Sequence, residues 1–257
     1  SPHGSVNSNT HTYVAWNWHV NGGTTSTNND GDIQTTVQVN QKAGISIITY
    51  TGTGTQSDTV GHGLGVKPKW VLVKSRSEAQ NWHVYHEKLH PSAPEDYAVF
   101  LNAPNARSSS SANLFNSTAP TATVMSVGND NSSNKSSTTY VMYLFAEIEG
   151  YSKFGTYEGN SNADGTYIFT GFRPAMVIFK HFDGSDEWVI ADNKRDPGNV
   201  VVGQLFPSTD GGESRANNIC DFLSNGFKMR RNAGSINQNS YIYMAFAETP
   251  FKFSNAR

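Results

Sequence analysis

The chain has 257 residues, 16% of them charged and 12% aromatic, is rich in Ser, Thr, Asn and Gly, and carries a net charge of −2. That balance gives no electrostatic basis for holding nucleic acid or an anionic membrane, and it is too aromatic and too weakly charged for a disordered chain. The lone Cys220 excludes an intrachain disulfide, which fits synthesis in a reducing cytoplasm, including that of a particle protein released later. No apolar run is long enough for a membrane-spanning helix or a signal peptide.

In chain order, the first segment is GSVNSNTHTYVAWNW (Gly4–Trp18), a polar Asn/Ser turn leading into an aromatic, β-branched strand pattern. Residues 19–43 form a polar connection, in which Ile33–Val39 can make a strand. Strands are then expected at Ile45–Tyr50, Trp70–Lys74, Asn81–His86, Tyr97–Leu101 and Thr139–Ile148. In the second half they are expected at Lys153–Gly159, Tyr167–Phe172, Ala175–Lys180, Glu187–Asp192 and Ser240–Glu248. Each is a short apolar run bounded by turn residues such as Asp164-Gly165, Asp183-Gly184 and Asn225-Gly226, and helical periodicity is nearly absent. Cys220, between Ile219 and Phe222, reads as a small buried hydrophobe.

The order of these runs repeats. Val66-Lys67-Pro68-Lys69-Trp70 through Lys74 corresponds to Phe172-Arg173-Pro174-Ala175-Met176 through Lys180. Trp82 corresponds to Trp188, and Phe145-Ala146-Glu147 to Phe246-Ala247-Glu248. The expected architecture is all-β: two tandem, homologous antiparallel β-sandwich modules of jelly-roll or lectin-like kind, residues 44–150 and 151–257. Residues 1–43 would supply an extra N-terminal strand, a partial third repeat, because Gly4–Trp18 parallels GSINQNSYIYMAF (Gly234–Phe246). In the two complete copies this terminal strand has no polar face, so it belongs in the middle of a sheet covered on both sides. Tyr13, Val14, Trp16 and Trp18 are therefore expected to form an assembly strand, one that could insert into a neighbouring sheet.

Chemistry-bearing residues are sparse. His83, His86 and His90 would need a helix to bring His86 and His90 onto one face, but the pattern is strand-like and Pro91 follows closely, so no metal site is expected there. His62, among glycines, reads as a turn residue. Glu147 and Glu248 recur a module apart, too far for paired-carboxylate glycosidase chemistry, and read as structural acceptors for loop N–H groups or Lys/Arg. Asn29–Asp32 and Asp183–Glu187 carry oxygens suited to Ca²⁺ without an EF-hand spacing; no other cofactor is expected. The repeated Trp82 and Trp188 read as core. The sugar-binding candidates are Trp70 beside Lys69, with Asn102, Asn105, Arg107, Asn193 and Arg195 on the long polar loops.

The motifs TYVAWNW, GHGLGVKPKWVLVKSRS, NWHVYH, FAEIEGYSKFGTYEGN, DGTYIFTGFRPAMVIFK, DFLSNGFKMR and YIYMAFAETPFK, spanning about Tyr13 to Lys252, resemble a little-characterised β domain. That domain recurs in large structural proteins of tailed phages, especially marine cyanophages. The resemblance implies a virion location, at the tail or outer surface and extracellular after release. It also implies a non-enzymatic tail-fibre-like role in host attachment by way of surface glycans, in a homo-oligomer (trimeric by the habit of tail fibres) with other virion proteins. It supplies no catalytic residues. A glycan-degrading tail protein, or its accessory carbohydrate-binding module, and a self-assembling decoration or filament subunit are the alternatives.

Overall fold

A computed structural model describes residues 8–109 and 112–250. The strands of the first half are β1 (Ser26–Asn28), β2 (Thr35–Asn40), β3 (Ile45–Thr51), β4 (Asp58–Gly61), β5 (Trp70–Ser75), β6 (His83–His86), β7 (Val99–Phe100), β8 (Val124–Val127) and β9 (Thr139–Phe145). Those of the second half are β10 (Ser152–Glu158), β11 (Tyr167–Phe169), β12 (Pro174–His181), β13 (Val189–Asp192), β14 (Cys220–Leu223), β15 (Gly226–Met229) and β16 (Ser240–Ala247). A short 3₁₀ turn forms at Pro94–Asp96.

The strands form four sheets, ordered β1-β2-β3-β9-β5-β6-β7, β10-β16-β12-β13, β11-β15-β14 and β4-β8, with every strand pairing antiparallel. Within this list β3-β9-β5-β6 and β10-β16-β12-β13 have the same order: first strand, last strand, second, third. Each large sheet packs one face against its own small sheet. In the first half Tyr140, Met142 and Leu144 of β9 meet Val60, Met125 and Val127. In the second, Tyr241, Tyr243 and Ala245 of β16 meet Ile168, Phe222, Phe227 and Met229.

The opposite faces of the large sheets meet each other in a third core, with Ile45, Trp70, Val84 and Phe145 against Phe154, Ile178, Trp188, Met244 and Phe246. Both faces of β16 thus look into apolar cores, as does one face of β9, whose other face enters the central core at Phe145 and leaves Val141 and Tyr143 half-buried; each strand lies inside its sheet. Cys220 is fully buried in the second-half core, where burial pushes its thiol pKa up.

The repeat is also visible in hydrogen bonding. Tyr50 stacks on Tyr140 at 5.2 Å, and Tyr157 on Tyr241 at 4.7 Å. The Tyr50 hydroxyl donates to the Ser133 carbonyl and that of Tyr140 to Asn131; in the second half the hydroxyl of Tyr157 donates to Ile236 and that of Tyr241 to Gly234. Burial raises the pKa of Tyr50 and Tyr157 well above the ordinary value. The neutral phenols therefore stabilise the fold fully below about pH 10, the unfolded-chain value, and that contribution is lost as pH climbs above it. Tyrosinate absorbance is expected to appear together with loss of β circular dichroism in one alkaline transition. Ionisation of all the tyrosines with the sheet signal intact would contradict this arrangement.

The structure corrects several expectations. Residues 13–18 carry no strand assignment and belong to none of the sheets; Gly4–Asn7 of the expected repeat lie outside the described residues. The strand expected within Ile33–Val39 of the polar connection forms as β2, and β1, which was not expected, pairs with it and extends the first sheet further beyond β3. Strands β4, β8, β14 and β15 were not legible as apolar runs. The run expected over Tyr167–Phe172 ends at Phe169, followed closely by Gly171, whose φ of +86° leaves extended geometry.

Candidate assembly face

The predicted sugar-binding residues do not converge on a site. Trp70 is buried, its ring edge-to-face with Trp188 at 5.6 Å, because the strand pleat turns it inward while its neighbour Lys69 reaches out. Lys69 pairs with Glu87 at 3.2 Å and Glu147 at 3.4 Å. Arg107 ties the halves together: it donates to the Leu89 carbonyl, pairs with Asp183 at 2.8 Å and lies over the rings of Tyr97 and Phe182. Asn193 is buried and donates to Glu248, and Arg195 is held by Asp192 and Glu213 beneath the Trp16 ring. Asn102 accepts the Trp82 N–H, and only it and Asn105 are well exposed among the seven.

Glu147 and Glu248 act as structural acceptors, taking the Phe154 N–H with Lys69 and Lys153, and Asn193 with Arg173, respectively. The clustered histidines have separate partners: His83 meets Phe100, His86 meets Trp70, and His90 stacks on Tyr97. Burial lowers the His86 pKa to about 3, so its ring is neutral. Among the described residues no three His, Cys, Asp or Glu side chains are grouped to hold a metal. In the acidic loops, Asp32 accepts from Thr59, Asp186 from His181 and Glu187 from Ser208.

What the structure leaves available is a sheet face. Strand registers make the two large sheets comparable position by position: Ile47, Tyr143, Leu72 and Val84 lie in one row across the first, and Phe154, Met244, Ile178 and Ile190 in the matching row of the second. The next row holds Thr49, Val141 and Lys74 in the first sheet and Thr156, Ile242 and Lys180 in the second, with Trp82 and Trp188 just ahead of β6 and β13. In the second half Phe154, Met244, Ile178, Ile190, Ile242 and Trp188 are buried in the central core and Lys180 is buried beside its own loop, while Thr156 is exposed. In the first half Ile47, Tyr143, Leu72, Val141, Lys74 and Trp82 are only half-buried, while Val84 is fully buried in the central core.

The two lysines show what cover does. Lys74 Nζ donates to the Ser75 and Glu78 carbonyls, and Lys180 Nζ to His181 and Gly184, the same clasp in both halves. Only Lys180 is fully buried, and burial lowers its pKa to about 8 against the opposing pull of Asp186 and Glu187. Likewise Trp188 donates its indole N–H to the Phe100 carbonyl at 2.7 Å across the halves, whereas Trp82, expected as core, is half-buried on Tyr143 of its own sheet.

Beyond the apolar rows this face ends in a depression of about 200 Å³ lined by Gln34, Thr36, Thr49, Thr51, Arg76 and Thr139, with Thr35 and Tyr50 beneath. The alternation Ile45, Ile47, Thr49, Thr51 along β3 carries the change from apolar to hydroxyl-bearing surface, a signal present in the sequence itself. No carboxylate or imidazole lines the depression, so its lining can donate hydrogen bonds but offers no general acid–base pair.

A family model described as a domain of unknown function (DUF7483) matches residues 1–250. No curated protein and no solved structure matches the chain.

Proposed function

The chain belongs to the DUF7483 family, and we propose that it is a non-enzymatic structural component of a tailed-phage virion. It is built from tandem β-sandwich modules and displayed at the tail or outer surface, where it takes part in host attachment. The tandem reading is supported by the common strand order of the two large sheets and by the repeated tyrosine and lysine clasps. The observation that carries the structural role is the uncovered sheet face. Of the matching apolar positions, Ile47, Leu72, Tyr143, Val141 and Trp82 are half-exposed in the first half where their counterparts are buried in the second, with the position of Val84 buried in both, as on a part made to be covered in an assembly. The depression's lack of carboxylates and imidazoles favours assembly or binding over hydrolysis. For a host glycan, the exposed Asn102 and Asn105 side chains remain the accessible candidates on the predicted loops.

Immunogold labelling of intact phage particles with antibodies to this chain tests the proposal. Labelling of the tail or outer surface is expected. A chain made during infection but absent from purified particles would overturn it, and release of reducing ends from host polysaccharide would overturn the non-enzymatic part.

A further inference from the structure

We propose that residues 13–18 are the central strand of a third β module, which closes around them and covers the open face of the first module in a pseudo-threefold ring. Three observations lead there, and none depends on a virion location.

The first is the fate of three equivalent residues. Counting five on from the tyrosine that opens each copy of the terminal strand (Tyr13, Tyr140, Tyr241) gives Trp18, Phe145 and Phe246. These three rings meet one another. Their centroids are 6.1 Å (Trp18–Phe145), 5.3 Å (Trp18–Phe246) and 6.1 Å (Phe145–Phe246) apart, with interplanar angles of 68°, 64° and 65°. Near-equal spacing and tilt among equivalent positions is what a threefold axis produces.

The second is the state of the segment itself. Val14, Trp16, Trp18 and Val20 are half-buried or buried, while Tyr13, Ala15, Asn17 and His19 are exposed, a strict period of two. Trp16, Trp18 and Val20 pack on the central core, on the side that Tyr143 and Phe145 occupy from β9. The exposed side matches Tyr140, Met142 and Leu144, which in the first half face their own small sheet. The turn before the strand is also kept: Ser8 N–H donates to the Tyr13 hydroxyl at 2.8 Å, as Lys135 N–H does to Tyr140 and Gln238 N–H to Tyr241. Among the described residues, no main-chain hydrogen bond pairs residues 14–18 with a neighbouring strand.

The third is the handedness of the contact between the halves. Trp188 reaches across to Trp70 and Phe100 of the first half. A twofold relation would seat Trp82 on Met176, the counterpart of Trp70, yet Trp82 stacks on Tyr143 of its own sheet instead. The contact is heterologous, and such a contact closes a ring when its rotation is threefold, as the Trp18, Phe145 and Phe246 triad indicates, and otherwise runs on as an open helix. The next member of that ring falls over Trp82, Leu72, Tyr143 and Ile47.

The occupant is a module of this same architecture, contributing strands equivalent to β3 and β5 on either side of residues 13–18. A second copy of the chain is poorly suited to supply them, since both of its sheets already hold their own last strand, β9 and β16. In both modules the partners of the last strand precede it in sequence, so strands joined ahead of residue 8 would stand in the order that both modules use.

The test joins residues 44–134 directly ahead of Ser8 of the full chain, so that residues 13–18 take the place of Tyr140–Phe145; a second version uses residues 152–237. Amide exchange at residues 14–18 is expected to slow by more than about 100-fold relative to the 257-residue chain. The added chain should also shield Trp82 from a fluorescence quencher, with the protein remaining monomeric. If neither version protects residues 14–18, whether folded or not, the proposal is overturned. It is equally overturned if the 257-residue chain alone protects them while doubling in mass, which would make a second copy the occupant.

Discussion

Replacing Trp188 with Ala is expected to lower stability by about 3–5 kcal/mol, the range for removing a large buried aromatic. The side chain is fully buried, sits edge-to-face on Trp70 and makes the indole hydrogen bond to Phe100 that spans the two halves. Its loss opens a cavity in the middle of the central core and leaves the Phe100 carbonyl without that donor. Trp82→Ala, at the matching position of the first half, is expected to cost much less, because that ring is only half-buried and makes no such cross-half bond. Denaturant titration of the two variants side by side checks this. Equal losses would mean that the two tryptophans do the same work, contrary to the asymmetry of the two faces.

Asn237→Ala is the second large effect expected, at about 2–4 kcal/mol, because several buried polar groups lose partners at once. The fully buried Asn237 amide donates to the Asn162 carbonyl at 2.7 Å and to the Asn160 side chain at 2.9 Å, and its oxygen accepts the Asn160 N–H at 3.2 Å. This one side chain pins the turn after β10 to the turn before β16. Asn134 holds the same place in the first half, accepting the Thr53 N–H and donating to the Thr55 carbonyl, both at 2.8 Å. Asn134→Ala is therefore expected to cause a loss of similar size. Urea unfolding of both variants measures it; a change below about 0.5 kcal/mol, typical of surface substitutions, would contradict the assigned role.

The sequence made the repeat legible because its landmarks are unlike one another and recur in order. The terminal strands are readable as central because Tyr140–Phe145 and Tyr241–Phe246 offer no polar face to water; two cores cover β16, while β9 has one face covered and the other only in part. Cover was not readable. Trp82 and Trp188 occupy one repeat position, yet one is half-exposed and the other buried, a difference set by what packs on each sheet rather than by local composition. For the same reason Val14–Trp18 have strand chemistry without a strand: a strand exists only with its neighbour, and among the described residues none pairs with this segment. The short strands β4 (DTVG) and β8 (VMSV) were hidden by Gly, Ser and Thr within them. The predicted loop ligands Arg107 and Arg195 proved to be internal ties, since a guanidinium beside carbonyls and carboxylates satisfies many acceptors at once.

Throughout, the two halves act as one body joined by the core between their large sheets. Differential scanning calorimetry of the 257-residue chain tests this most directly. One transition is expected, with the calorimetric enthalpy equal to the van't Hoff value, as for a single cooperative unit. Two resolved transitions, each carrying the enthalpy of one half, would contradict it.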